Sequence, residues 1–456
     1  MARDQTDTSP LETVDELVAW IAAGEKPKSR WRIGTEHEKF PFYRDGFQPV
    51  PYGGPKGIEA LLTGMRDLLG WEPIIDAGNI IGLVEPTGHA AISLEPGGQF
   101  ELSGAPLETL FQTCAEGNSH LMQLSEIADP LGIGFLGLGA SPKWSLPDTP
   151  RMPKSRYRIM TDYMPTVGSQ GLDMMYRTCT IQVNLDFASE ADMRLKFAAS
   201  MKLQPVATAL FANSPFTDGR PNGLLSWRAD IWRDTDNNRA GILPATFSPR
   251  FGYQDYVEWA LDVPMYFVLR NGRYHETHVT FRQFMNGALR KDVPDGMPNI
   301  GDWINHLGTL FPDVRLKRYL EMRGADGGPW RRICALPAFW VGLLYDEGAL
   351  ADATELVKDW TFEDVVLLRN EVPAKALNAT VRGRGLRDVA RDALAISRRG
   401  LAARNRRNRA GYDETGFLNP LDEVVARGTT SAEEMLNAYN TRWAGSIEPV
   451  FLEYAY

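Results

Sequence analysis

In the segment Arg32-Ile33-Gly34-Thr35-Glu36-His37-Glu38-Lys39-Phe40, two carboxylates stand two residues apart. On an extended strand that spacing turns both side chains to one face. Neighbouring anions raise each other's pKa, so such a pair is costly unless a hard divalent cation such as Mg2+ neutralises it and accepts its oxygens. A second acidic stretch, Ser93 to Ser103, carries Glu95 and Glu101. In the stretch from Arg315 to Arg323 the odd positions place Arg315, Lys317, Tyr319, Glu321 and Arg323 on one strand face. There an arginine suits phosphate and a glutamate suits magnesium. From Thr178 to Asp186 the even positions Thr180, Gln182, Asn184 and Asp186 share one face, while Cys179, Ile181, Val183 and Leu185 share the other. Together these stretches suggest a multi-metal phosphoryl-transfer site. Each alone also describes the solvated face of an antiparallel strand, and patterning leaves both readings open.

The elements that must position these residues alternate irregularly. Helical periodicity runs near 10–24, 55–70, 107–129, 190–211 and 251–261, with caps expected at Ser9-Pro10 and Ser189. Strands are expected at 31–43, 80–85, 90–103, 133–138, 177–187, 263–270 and 314–323. The spacing does not make regular βαβ units, so the fold class is α+β with a largely antiparallel sheet. From Trp330 onward the pattern is mainly helical, over 331–346, 348–358, 387–404 and 431–442. A length prior allows about two or three domains. The absence of repeats and low-complexity linkers favours one catalytic unit over 1–456, with a sheet-forming core over 1–329 and a helical portion over 330–456 packed on it.

Composition excludes several classes. With 43% hydrophobic and 23% charged residues the chain reads as a soluble globular protein, and no apolar run approaches the length of a membrane span. Met1 to Thr13 is polar and lacks the features of a signal peptide, so the expected compartment is the cytoplasm. A net charge of -9 argues against broad nucleic-acid binding. The three cysteines, Cys114, Cys179 and Cys334, form no Cys-x-x-Cys pair and suggest neither a disulfide framework nor structural zinc.

Other motifs are weaker. Gly132-Ile133-Gly134-Phe135-Leu136-Gly137 satisfies the dinucleotide-binding pattern, but no helix opens after it, and a closely packed strand is the better account. Gly53-Gly54-Pro55-Lys56-Gly57 lacks the spacing of a phosphate loop. His275 and His278 sit where a hairpin end is expected. The run Arg398-Arg399 with Arg404, Arg406, Arg407 and Arg409 reads as a solvated helix end, with approach to a nucleotide phosphate as its alternative.

Arg32 to Phe40, Ser93 to Pro106, Leu172 to Phe187, Ala212 to Phe216 and Tyr319 to Leu344 resemble plant-type glutamate-cysteine ligase, and the likeness continues through Phe417-Leu418-Asn419-Pro420-Leu421. Without a transit peptide at its start, the chain resembles the bacterial branch found in proteobacteria. The resemblance implies a curved antiparallel sheet of the glutamine synthetase and guanidino kinase type, backed by helices. It implies ATP-dependent joining of the L-glutamate side-chain carboxyl to the L-cysteine amine through an acyl phosphate. Glu36, Glu38, Glu95, Glu101 and Glu321 then become candidate magnesium ligands, with Glu38 and Arg323 as catalytic candidates. Gln182, Asn184 and Arg323 would face the nucleotide, and Arg156, Arg228 and Tyr266 would recognise the amino acids. The positions of one plant redox pair are occupied here by Glu276 and Lys291, while Cys114 and Cys334 match the other. In a reducing cytosol two buried free thiols are the expected state of that pair, a disulfide the alternative. A monomer or weak homodimer is expected. Ligation to a different amine and a catalytically dead binding protein are the competing readings, and retention of all five glutamates argues against the second.

Overall fold

In the computed structural model, which describes residues 4–456, the Glu36 and Glu38 stretch is the strand β1 (Ile33–Tyr43). It lies inside a nine-stranded sheet with β2 (Glu72–Asp76), β3 (Asn79–Val84), β4 (Ala91–Leu94), β5 (Phe100–Ser103), β6 (Ile133–Leu136), β7 (Thr180–Leu185), β8 (Val314–Leu316) and β9 (Leu320–Asp326). The strand order is β8-β9-β7-β1-β5-β4-β3-β2, with β6 pairing the second half of β1. Every pairing in this sheet is antiparallel. The α+β expectation therefore holds.

Two expected strands are hairpins instead. The stretch 90–103 breaks into β4 and β5 because Pro96-Gly97-Gly98 turns the chain, with Gly98 at φ +88°. The stretch 314–323 breaks at Lys317, whose N–H donates to the Tyr319 carbonyl at 2.9 Å. Arg315 and Glu321 consequently face each other across a ladder rather than along one strand. Residues 263–270 supply only Phe267–Arg270, paired with Arg273–Glu276 in a hairpin outside the main sheet. The edge strand β2 was not expected; its Pro73 and exposed residues give no clear alternation.

The apolar side chains of β1 and β7, Ile33, Ile181, Val183 and Leu185, enter the largest apolar cluster. That cluster also takes Phe197 and Leu203 from the helix Glu190–Leu210, Leu336 and Phe339 from Trp330–Leu344, and Val389 from Leu386–Arg404. Burying each such side chain contributes about 1.5–3 kcal/mol, which fixes which face of the sheet looks inward. The opposite face is left for polar groups.

Helix starts follow their caps. Thr109 and Gln112 form a capping box on α1 (Leu110–Leu131), and the Ser189 hydroxyl accepts from Asp192 N–H at the start of α2 (Glu190–Leu210), as expected. The first helix begins later than expected, at Val14, because Thr13 and Glu16 form its capping box in place of Ser9-Pro10. Gly134 of β6 packs so closely on β1 that an added Cβ would lie 2.7 Å from the Phe42 ring, which accounts for the glycine-rich stretch without a nucleotide.

Cys114 of α1 and Cys334 of α3 (Trp330–Leu344) are disulfide-bonded, with Cα atoms 5.6 Å apart. This corrects the expectation of two free thiols: the two helices meet against the same sheet face, which local sequence cannot show. Cys179 is a buried free thiol, as expected. Among the described residues no single helix is long and apolar enough to cross a membrane.

Candidate active site

β1 brings the carboxylates together through its two neighbours. Glu38 faces Glu101 across the ladder with β5, Glu36 faces Gln182 across the ladder with β7, and Glu321 of β9 faces Asn184 of β7. Glu95 follows β4 directly, in a turn closed by hydrogen bonds from Glu95 N–H to Gln99 O and from Gly98 N–H to Glu95 O, both 2.9 Å. Gly97 lets that turn approach the neighbouring backbone; a Cβ there would lie 2.2 Å from the Tyr176 carbonyl oxygen.

Two clefts meet at this row. One, of about 940 Å³, has Glu36, Glu38, Glu95 and Glu101 in its wall, together with Arg156, Arg228, Arg315 and Arg323. The other, of about 1570 Å³, is walled by Glu36, Asn184, Lys26, Arg32 and Lys317. Glu36 belongs to both. Gln182 lies on the side of the first cleft and Asn184 on that of the second, so these two residues serve different chambers.

The carboxylates differ in how they are compensated. Glu36 accepts from Asn184 Nδ2 at 2.8 Å, and Glu38 from the Thr180 N–H at 2.9 Å. Burial, and then the charges of Glu321 and Glu101, raise the Glu36 pKa; burial, Glu101 and Glu95 push Glu38 well above the carboxylate range. Glu101 accepts from Ser93 Oγ at 2.5 Å and Ser103 Oγ at 3.1 Å. Glu321 is the exception. Although burial opposes ionisation, Arg315, Lys317 and Arg323 hold its carboxyl well below the usual range. Arg315 Nη2 is 2.6 Å away and Lys317 Nζ 3.1 Å, and Arg323 Nη1 bonds both Glu321 and Gln182.

The amino-acid candidates fare unequally. Arg228 is buried in the wall of the first cleft and donates to the Arg323 carbonyl at 2.9 Å. Arg156 is in the same wall and pairs with Asp4 at 2.9 Å. Tyr266 does not reach either cleft: it is 1% exposed, 5.2 Å from the Tyr163 ring and under the Arg239 guanidinium at 3.8 Å. It immediately precedes the strand Phe267–Arg270 of the small hairpin outside the main sheet, so the fold does not bring it to the cleft that holds Arg156 and Arg228. The basic run also stays away: Arg399 pairs with Asp352, Arg404 with Glu414 and Arg406 with Glu108. His278 pairs with Glu276 at 3.3 Å, at the hairpin end as expected.

Charge, rather than preformed coordination, fits a divalent cation. Among the described residues no group of three or more His, Cys, Asp or Glu is already gathered to hold a metal ion. Glu36 and Glu38 nevertheless have neighbouring anions and, among the described residues, no cationic partner in hydrogen-bond contact, the condition that a bound cation relieves. Sequence reasoning gave no role to Lys26 and Arg32, cations flanking the start of β1, or to Trp232 and Asn305 in the first cleft. Nothing local marks them, because separate segments bring them to the wall.

The sheet, its helical backing and the chain path have the fold of a solved glutamate–cysteine ligase from Francisella tularensis in complex with AMP. The TM-score is 0.54 over 93% of this chain and 87% of that one, at 12% identity, so this likeness concerns the fold. The sequence relationship is far closer. Residues 32–453 match glutamate-cysteine ligase family 2 (GCS2), and this chain belongs to that family. It is 57% identical to the chloroplastic glutamate–cysteine ligase of Nicotiana tabacum, over 97% of this chain and 83% of that one. The chloroplastic enzymes of Oryza sativa subsp. indica (ligase A) and Arabidopsis thaliana are each 56% identical over 98% of this chain, covering 89% and 84% of their own length. These names overturn the expectation of a cytoplasmic protein: close relatives are chloroplastic, and a polar first segment does not decide the compartment.

Proposed function

We propose that this chain catalyses ATP-dependent ligation of the L-glutamate γ-carboxyl to the L-cysteine amine, through γ-glutamyl phosphate, giving γ-glutamylcysteine, ADP and phosphate. The observation that carries this reading is the position of Glu36 in the wall of both clefts, with cations in each. A carboxylate is too poor an electrophile for an amine. Transferring the ATP γ-phosphoryl group to it makes the leaving group phosphate, and the amine nitrogen then attacks the acyl carbon. The second cleft, with Lys26, Arg32, Lys317 and Asn184, suits a polyphosphate, and the first suits amino acids, whose carboxylates Arg156 and Arg228 would take. Arg323, fixed by Glu321 and Gln182, stands at the first cleft to offset charge on the group in transit.

Mg2+ would be held by Glu36, Glu38, Glu95 and Glu101, where it would neutralise phosphate charge. Glu321 joins that set only by releasing a cation, so its main role is to orient Arg323 and Arg315. The expectation of a bacterial branch has no support from these relatives, which are plant proteins. A coupled assay of ADP release with glutamate and a panel of amines tests the reaction. ADP release only with cysteine and close analogues is expected; equal rates with unrelated amines would overturn the acceptor assignment.

A further inference from the structure

The segment Asp4–Ser9 precedes residues 32–453, which match the family; its Asp4, Gln5 and Thr6 line the second cleft, and Asp4 and Gln5 bond Arg156 and Asn305 of the first. Gln5 to Pro10 are exposed, and among the described residues apolar burial begins at Leu11. Polar contacts fasten the segment. Gln5 N–H donates to Asn305 Oδ1 at 2.8 Å, and Asn305 Nδ2 returns a bond to the Gln5 carbonyl at 3.0 Å. Gly301 N–H donates to Asp7 O at 2.8 Å, and Ile300 N–H to Ser9 O at 2.9 Å. Asp4 differs from the residues that follow. Its side chain is 13% exposed, one oxygen lies 2.9 Å from Arg156 Nη1, and the other accepts from the Tyr274 hydroxyl at 2.5 Å.

We propose that this strap is an internal competitor for an amino-acid substrate, its Asp4 carboxylate occupying the guanidinium of Arg156 that a substrate carboxylate must take. The inference rests on the amino-acid role given to Arg156 above. The chemistry of the two occupants is the same, a carboxylate on a mostly buried guanidinium. Burial pushes the Asp4 carboxyl up, but Arg156 and Tyr274 outweigh it, so the competitor is charged at neutral pH. A tethered group acts at an effective concentration on the order of millimolar, comparable with amino-acid substrates, so it is displaceable rather than permanent. Among the described residues no apolar side chain is buried before Leu11, so release of residues 4–9 exposes little hydrophobic surface.

Steady-state kinetics on the full chain test this. Asp4→Asn should lower the KM for one amino-acid substrate about three- to tenfold, with kcat within about twofold, because competition at a tethered effective concentration affects binding and not chemistry. Tyr274→Phe, which removes one bond to Asp4 at a residue that lines neither cleft, should move KM the same way by less. In the unaltered protein, saturating that amino acid should speed deuterium uptake over residues 4–9. A KM that is unchanged or higher in Asp4→Asn, while Arg156→Gln raises it, would overturn the strap and leave the role of Arg156 standing. If Arg156→Gln leaves the KM of both amino acids unchanged, the recognition role falls and the strap proposal with it.

Discussion

Glu38 has a raised pKa because its charge is buried beside Glu101 and Glu95, so above the ordinary carboxylate range its ionised form opposes folding. Glu38→Gln removes that charge while keeping an acceptor for the Thr180 N–H. The variant should be about 1–2 kcal/mol more stable than the parent at pH 8 without metal, by urea denaturation, yet lose at least about 100-fold in turnover. Near-normal ADP release at saturating magnesium would sink the metal role of Glu38. Arg323→Ala leaves Glu321 with Arg315 and Lys317, so the fold should persist. Its kcat should fall about 100-fold with little change in the KM for glutamate, since a group stabilising charge in transit acts on the chemical step. A higher KM for ATP at unchanged kcat would contradict that role.

At the scale of elements, the site depends on how turns and helix ends meet the sheet. Gly97 places Glu95 by passing the Tyr176 carbonyl closer than any Cβ permits. Gly97→Ala should therefore cost about 2–4 kcal/mol in urea denaturation and reduce turnover with it. Glu116 of α1 provides a pH test. Burial, reinforced by Glu85 and opposed by the bond from Ala105 N–H, raises its pKa to about 7. A carboxyl with a raised folded pKa binds more protons in the native state between its unfolded value and about 7, so stability falls as pH rises through that window. Glu116→Gln should flatten this slope between about pH 5 and 7 and stabilise the protein at pH 8 by at most about 3 kcal/mol. Parallel slopes for the parent and the variant would show that Glu116 titrates normally.

For the whole molecule, the Cys114–Cys334 bond joins α1 of the sheet-forming part to α3 of the helical part, across a sequence separation of 220. In the loop-entropy account, closing a loop of that size removes about 5 kcal/mol of unfolded-state freedom. Reduction should lower the melting temperature by several degrees, and Cys114→Ser should melt with the reduced parent. Alkylation followed by mass spectrometry checks the bond directly: full labelling of both thiols without reductant would show that it does not form. The largest apolar cluster likewise draws its side chains from both parts.

What the sequence determined by itself is local and periodic. The period of two in β1 and β7 marked the face carrying Glu36, Glu38, Gln182 and Asn184, because alternation follows directly from backbone geometry. Ser189 and the helical pattern after it located α2 closely for the same reason: a capping side chain acts within three residues. Resemblance then named the chemistry that these faces could only suggest. Tertiary structure alone decided which residues meet. Strand register put Glu38 opposite Glu101, a turn at Lys317 caged Glu321 among three cations, and the strap brought Asp4 to Arg156 from 152 residues away. The off-sheet hairpin region kept Tyr266 out of the clefts, and helix packing brought Cys114 to Cys334. These outcomes depend on contacts between distant segments, whose energies are comparable for many pairings until the common core selects one.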